Sequence, residues 1–255
     1  MPKALVINPN TSSAMSRDIR ETAEKIFTPP WSCRVVNAPA GPESLESWRD
    51  YSLASVTMLP LLREFPDAQG VVVACFGDPG LYVLKEIASI PVVGIAEAAM
   101  SLALLVGGRF GILAGMERAV SLMDSLVRTY GLESRYAGTV SLAMRVLSFE
   151  QDREVTLSAL TGAARRLVER GADVLLLGCA GLTAFRDELT RQVTVTVVDP
   201  VDAGCRALKA LVEGGLSTSR GGLYTTPAAQ RMRGLESFFG KAMSEFLAEW
   251  EKEKS

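Results

Sequence analysis

Short runs of β-branched and apolar residues alternate along this chain with longer stretches whose apolar positions recur every three or four residues. Ala4 to Asn8, Cys33 to Asn37, Gly70 to Cys75 and Pro91 to Ile95 show the first pattern, bounded by Pro, Gly or Asn, and read as buried strands. A second series follows at Phe110 to Leu113, Ala137 to Ser141, Val174 to Gly178 and Val193 to Val198. Met15 to Phe27, Leu53 to Glu64, Met116 to Tyr130, Glu150 to Arg170 and Val201 to Gly214 carry the helical spacing. Regular alternation of strand and helix predicts an α/β fold with parallel sheets covered by helices.

The two series resemble each other. Cys75 lies 68 positions after Ile7, and Cys179 lies 66 after Leu113, so two similar α/β halves are expected, with the cysteines at matching places. The chain then divides into a first half over 1–100, a second over 101–214 and a C-terminal part over 215–255. In that last part Ser217 to Tyr224 reads as a loop and Leu235 to Glu251 as an amphipathic helix able to pack back on the fold or on a partner subunit. Open α/β sheets bind ligands beyond the carboxyl ends of their strands, so two facing halves would bring both cysteines to one cleft.

Composition narrows the chemistry. The 255 residues include no histidine, which excludes Ser-His-Asp and Cys-His catalysis, histidine-ligated metals and imidazole acid-base work. Proton transfer near neutral pH then falls to a carboxylate, lysine, tyrosine or thiol. With 27 Lys and Arg against 29 Asp and Glu, there is no basic excess for a nucleic acid or an anionic membrane; a small molecule or another protein is the expected partner. The apolar N-terminal run is too short for a signal-peptide core, and the stretch from Pro91 to Val106 is too short and too interrupted to span a bilayer; it reads as a strand followed by a helix. A cytoplasmic location with four reduced cysteines follows, and their spacing fits neither a disulfide framework nor a zinc site. No P-loop occurs, and Gly107 to Gly111 precedes its strand rather than following it, so no nucleotide cofactor or metal is expected.

Cys75, in Ala74-Cys75-Phe76-Gly77-Asp78-Pro79-Gly80, follows a strand and precedes a helix for which Asp78 is the expected N-cap and Pro79 the first residue. A helix N-terminus there would lower the thiol pKa, although Asp78 opposes this. Leu177-Gly178-Cys179-Ala180-Gly181-Leu182-Thr183 repeats the arrangement, with Thr183 free to cap or to bond a substrate oxygen. Cys33 and Cys205 lie in ordinary strand and helix patterns and read as packing residues. Asn8-Pro9-Asn10-Thr11-Ser12-Ser13 opens a helix, as a cap or as donors for an anion or carbonyl. Lys85 reads as part of a solvated helix face and Glu97 as a capping carboxylate.

Taken together, the INPNTS run at Ile7 to Ser12, CFGDPGL at Cys75 to Leu81, PVVGIAEAA at Pro91 to Ala99, GRFGI at Gly108 to Ile112, LGCAGL around Cys179 and VVDPV at Val197 to Val201 resemble the hydantoin and allantoin racemase branch of the aspartate/glutamate racemase superfamily. GLSTSR at Gly215 to Arg220 resembles that branch's C-terminal segment. The resemblance implies two Rossmann-like halves, a cofactor-independent site between them, Cys75 and Cys179 as the two catalytic thiols, and a homo-oligomer. It further implies substrate contacts from Asn10 and Thr11, together with Phe76, Gly77, Ala180 and Gly181 beside the thiols. One departure is visible: where the family often carries two threonines, this chain has Ala114-Gly115. The implied reaction is racemisation of a 5-substituted hydantoin or related cyclic ureide such as allantoin. The same fold also admits maleate-type isomerisation, malonate decarboxylation or small-molecule binding without catalysis.

Overall fold

The computed structural model describes residues 1–225, so the expected helix from Leu235 to Glu251 lies outside the described residues. The first half runs β1 (Lys3–Asn8), α1 (Ser13–Ile26), β2 (Ser32–Asn37), α2 (Trp48–Thr57), α3 (Leu61–Glu64), β3 (Gly70–Val73), α4 (Leu81–Ile87), β4 (Val92–Gly94) and α5 (Ile95–Val106). The second runs β5 (Phe110–Ala114), α6 (Glu117–Thr129), β6 (Tyr136–Ser141), α7 (Arg153–Glu169), β7 (Val174–Leu177), α8 (Arg186–Thr190), β8 (Thr196–Val198) and α9 (Pro200–Glu213). Each half forms a four-stranded sheet, in the orders β2-β1-β3-β4 and β6-β5-β7-β8, and every pairing is parallel. The fold is the two-sheet α/β architecture expected from the pattern.

The central strands β3 and β7 are wholly buried, as their unbroken GVVV and VLLL sequences require of parallel strands covered on both faces. Their ends superimpose in register. Val73 pairs with Ile7 and Leu177 with Leu113, after which Ala74 N donates to Ile7 O at 2.8 Å and Gly178 N donates to Leu113 O at 2.9 Å. Cys75 and Cys179 are each the next residue, one step beyond the last ladder bond of equivalent strands.

Two expected elements change. The single helix from Leu53 to Glu64 is two, because Pro60 has no N–H to continue the ladder of α2; α2 instead starts earlier, at Trp48, with Ser47 accepting from Asp50 N. The strand expected from Val193 shortens to β8, since its neighbour β7 begins at Val174, opposite Thr196, leaving residues 193–195 no strand to pair with.

The halves share one core. Helix α5, apolar around most of its circumference, packs on β4 and α9 and also against β5, β7 and β8. Helix α9 follows the last strand of the second sheet yet covers β3 and β4 of the first: Leu208 fills the space over Gly70, and Gly204 sits against Ile95 and Val72. The residues after α9 fold back on the first half, where Arg220 Nη1 donates to Lys85 O at 3.0 Å and Glu86 O at 2.7 Å. Among the described residues, no helix is long and apolar enough to cross a membrane.

Candidate active site

Cys75 and Cys179 line one pocket at the carboxyl ends of the two sheets. Around them Phe76 and Ala180 come from the cysteine loops, Asn10 from the end of β1, and Glu46 and Tyr51 from the start of α2. The remaining wall is largely apolar, with Met15, Met116, Leu122, Met123 and Val146. Gly115 also borders it, and the space a side chain there would fill is taken by Phe149: a Cβ would lie 2.7 Å from Phe149 Cζ.

Burial governs both thiols. Each is half-buried and lines the pocket. The Cys75 thiol is pushed well up from its ordinary value by burial, then by the charge of Cys179 and by Asp78, against a backbone N–H from Gly77 that favours the thiolate. Cys179 is pushed up to about 11 by burial, with Gly181 N–H opposing and Glu46 adding to the rise. The expected lowering at a helix N-terminus is therefore overturned. In these loops one backbone N–H faces each sulfur, and that is too little to offset desolvation.

Asp78 departs furthest from its expected role. It does not cap α4, which begins at Leu81 behind Gly80; its carboxylate reaches across to α5, accepting from Ala96 N at 3.0 Å and Glu97 N at 2.8 Å. Helix α5 needs this distant cap because its own N-cap residue, Gly94, has no side chain to offer. Gly94 is glycine for the same reason, since a Cβ there would lie 2.3 Å from the Asp78 carboxyl carbon. Tyr130, at the end of α6 in the other half, donates to Asp78 Oδ2 at 2.6 Å. The carboxylate thus joins the Cys75 loop, α5 and the second half, and burial raises it to about 7 despite those three donors. Asp78 holds φ at +43°, an unusual region for a residue with a side chain.

Asn10 is on the pocket but largely committed: its Oδ1 accepts from Asn8 Nδ2 at 2.9 Å and Ser12 N at 2.8 Å, and its Nδ2 points to Met15 Sδ. Thr11 is off the pocket wall, its N–H donating to Pro42 O at 3.0 Å, which ties the 40s loop to the end of β1. Gly77 and Gly181 stand behind the wall, presenting their N–H groups to the sulfurs. Thr183 is spent within the protein, donating to Asp199 Oδ1 at 3.1 Å, where Asp199 caps α9. Lys85 is not solvated; its Nζ pairs with Glu97 at 2.5 and 2.7 Å beside a separate apolar groove that neither cysteine borders. Cys205 is fully buried in α9, and Cys33 is half-buried in β2. Sequence reasoning missed Glu46 and Tyr51. The usable signal was the Ser47-Trp48-Arg49-Asp50 capping pattern, which fixes where α2 starts and hence which face Tyr51 occupies.

Residues 5–208 match the Asp/Glu/Hydantoin racemase family model. The chain belongs to that family. It is 35% identical over 235 residues to the hydantoin racemase of Paenarthrobacter aurescens, covering 90% of this chain and 99% of that protein. Its structure resembles allantoin racemase from Klebsiella pneumoniae, with TM-score 0.85, 33% identity, and coverage of 92% and 98%. It also resembles allantoin racemase from Pseudomonas fluorescens, with TM-score 0.87, 29% identity, and coverage of 91% and 100%.

Proposed function

We propose that this family member racemises a 5-substituted hydantoin or a related cyclic ureide such as allantoin, using Cys75 and Cys179 as its acid-base pair and no cofactor. The observation that carries the reading is the placement of two thiols, one from each equivalent strand end, on a single pocket. The similarity to proteins named hydantoin racemase and allantoin racemase supports the substrate class.

The ring carbon of such a ureide carries a hydrogen next to a carbonyl. Removing that proton from one face and returning one to the other inverts the centre, which needs a base, an acid and donors for the enolate oxygen. The coupling between the thiols supplies the first two together: charge on Cys179 raises Cys75, so once one sulfur is ionised the other stays protonated. The base takes the proton as S–H forms and C–H breaks, the electron pair moves to the carbonyl oxygen, and the opposite thiol returns a proton to carbon. The second enantiomer runs the exchange in reverse.

Incubating optically pure 5-substituted hydantoins and allantoin with the protein in heavy water tests this through optical rotation and the ring-carbon proton signal. Racemisation with deuterium incorporation is expected. Cys75→Ser and Cys179→Ser should each abolish racemisation, any remaining proton exchange being confined to a single enantiomer. Full racemisation by either variant would exclude the two-thiol mechanism.

A further inference from the structure

We propose that Tyr51 is a third catalytic group of this pocket, its hydroxyl donating a hydrogen bond to the oxygen that becomes negative when a thiolate removes the ring proton. The proposal rests on the ureide racemase reading and adds the missing donor to it.

The backbone that carries Tyr51 is fixed. It belongs to the first turn of α2, where Ser47 Oγ accepts from Asp50 N at 3.2 Å and Asp50 Oδ2 accepts from Glu46 N at 3.1 Å. The ring is held on two sides. Trp48 meets it edge-on, with centroids 5.9 Å apart and planes at 84°. Gly77 meets it so closely that a Cβ there would lie 2.4 Å from Tyr51 Cζ and 2.6 Å from its oxygen. The hydroxyl therefore sits against the residue whose N–H faces the Cys75 sulfur.

Among the described residues none hydrogen-bonds that hydroxyl, although Tyr51 lines the pocket with both cysteines. A phenol set so near two sulfurs has to remain a donor for the scheme to work, and it does. Burial first, then charge on Cys75, Cys179, Asp78 and Asp50, hold it well above its ordinary value, so it stays protonated throughout the working pH range. The other polar candidates are less able to serve. Asn10 has its oxygen committed and its amide turned to Met15, while Gly77 and Gly181 direct their N–H groups to sulfur. In the step itself, C–H breaks, S–H forms and the carbonyl oxygen gains the electron pair while Tyr51 keeps its proton in the hydrogen bond. The second thiol then protonates carbon, with no net change in oxidation state.

Tyr51→Phe tests the role, because it removes one oxygen and leaves the ring between Trp48 and Gly77. Loss of a single oxyanion donor costs about 10² to 10³ in turnover; a fall of that size is expected in kcat and in ring-proton exchange. Melting temperature and the alkylation rates of Cys75 and Cys179 should be unchanged, whereas a merely structural role would move them. Wild-type turnover with Tyr51→Phe within threefold overturns the role of Tyr51 alone. A wild-type protein that neither racemises nor exchanges the ring proton of any hydantoin or allantoin overturns the ureide reading and this proposal with it.

Discussion

At pH 8 the Cys179 thiol, raised to about 11, is ionised in only about one molecule in a thousand, some hundredfold fewer than for a thiol at the ordinary value of 9.0. The difference corresponds to about 3 kcal/mol of disfavoured thiolate, and burial in the pocket is its main source. Because the thiolate is the nucleophile, iodoacetamide modification reports this directly. Between pH 7 and pH 10 the rate at Cys179, followed by peptide mass spectrometry, should climb about tenfold per pH unit without levelling off. Cys75 should lag behind it at every pH, since burial raises its thiol further and the Asp78 carboxylate adds to that rise. A plateau at either cysteine below pH 8 would refute the reasoning, for it would mean that backbone N–H groups outweigh burial in these loops.

Gly94→Ala drives a Cβ to within 2.3 Å of the Asp78 carboxyl carbon, breaking the cap on α5; a loss of about 1 to 3 kcal/mol in urea unfolding is expected. Asp78 is raised from 3.8 to about 7, so between those values the folded state holds a proton the unfolded state has released, and stability falls as pH rises through that window. The contribution is on the order of 4 kcal/mol, and Asp78→Asn should flatten the pH dependence of the melting temperature from pH 4 to 7 even where it lowers stability overall. Cys33→Ala and Cys205→Ala should both keep racemisation, with only the fully buried Cys205 costing stability, about 1 kcal/mol by equilibrium unfolding.

The parts of this molecule that were legible in its sequence are those set by local pattern. Val71 to Val73 and Leu175 to Leu177 announce buried strands by composition, and the near-equal spacing from Ile7 to Cys75 and from Leu113 to Cys179 reflects an identical ladder register. What local pattern does not carry is partnership across the fold. Asp78-Pro79 looks like the start of a helix, but Asp78 serves a different helix 18 residues on, because α5 lies beside the Cys75 loop only once β4 has paired with β3. The thiol pKa values follow the same logic: a strand-to-helix turn suggests a lowered pKa, and only the closed pocket reveals the desolvation that wins. The capping pattern at Ser47 to Asp50 sets the start of α2, but not that α2 lies over the Cys75 loop, and it is that contact which brings Tyr51 and Glu46 to the site. Pro60, by contrast, was a readable break in the helix assigned to Leu53 through Glu64.

Helix α9 has a consequence for how the chain can be made. The first sheet emerges from the ribosome early, but Gly70 and Val72 are covered by Leu208 and Gly204, which come more than 130 residues later. The amino-terminal half therefore waits, with an apolar face of its central strand open, until almost the whole second half has been synthesised. Two gene fragments cut in the loop between α5 and β5, after Gly107, should each be insoluble alone and regain structure only when produced together, because α5 packs on strands of both sheets. Two equivalent α/β units supply the two cysteine loops; the packing of α9 from the second unit on the sheet of the first makes them a single folding event.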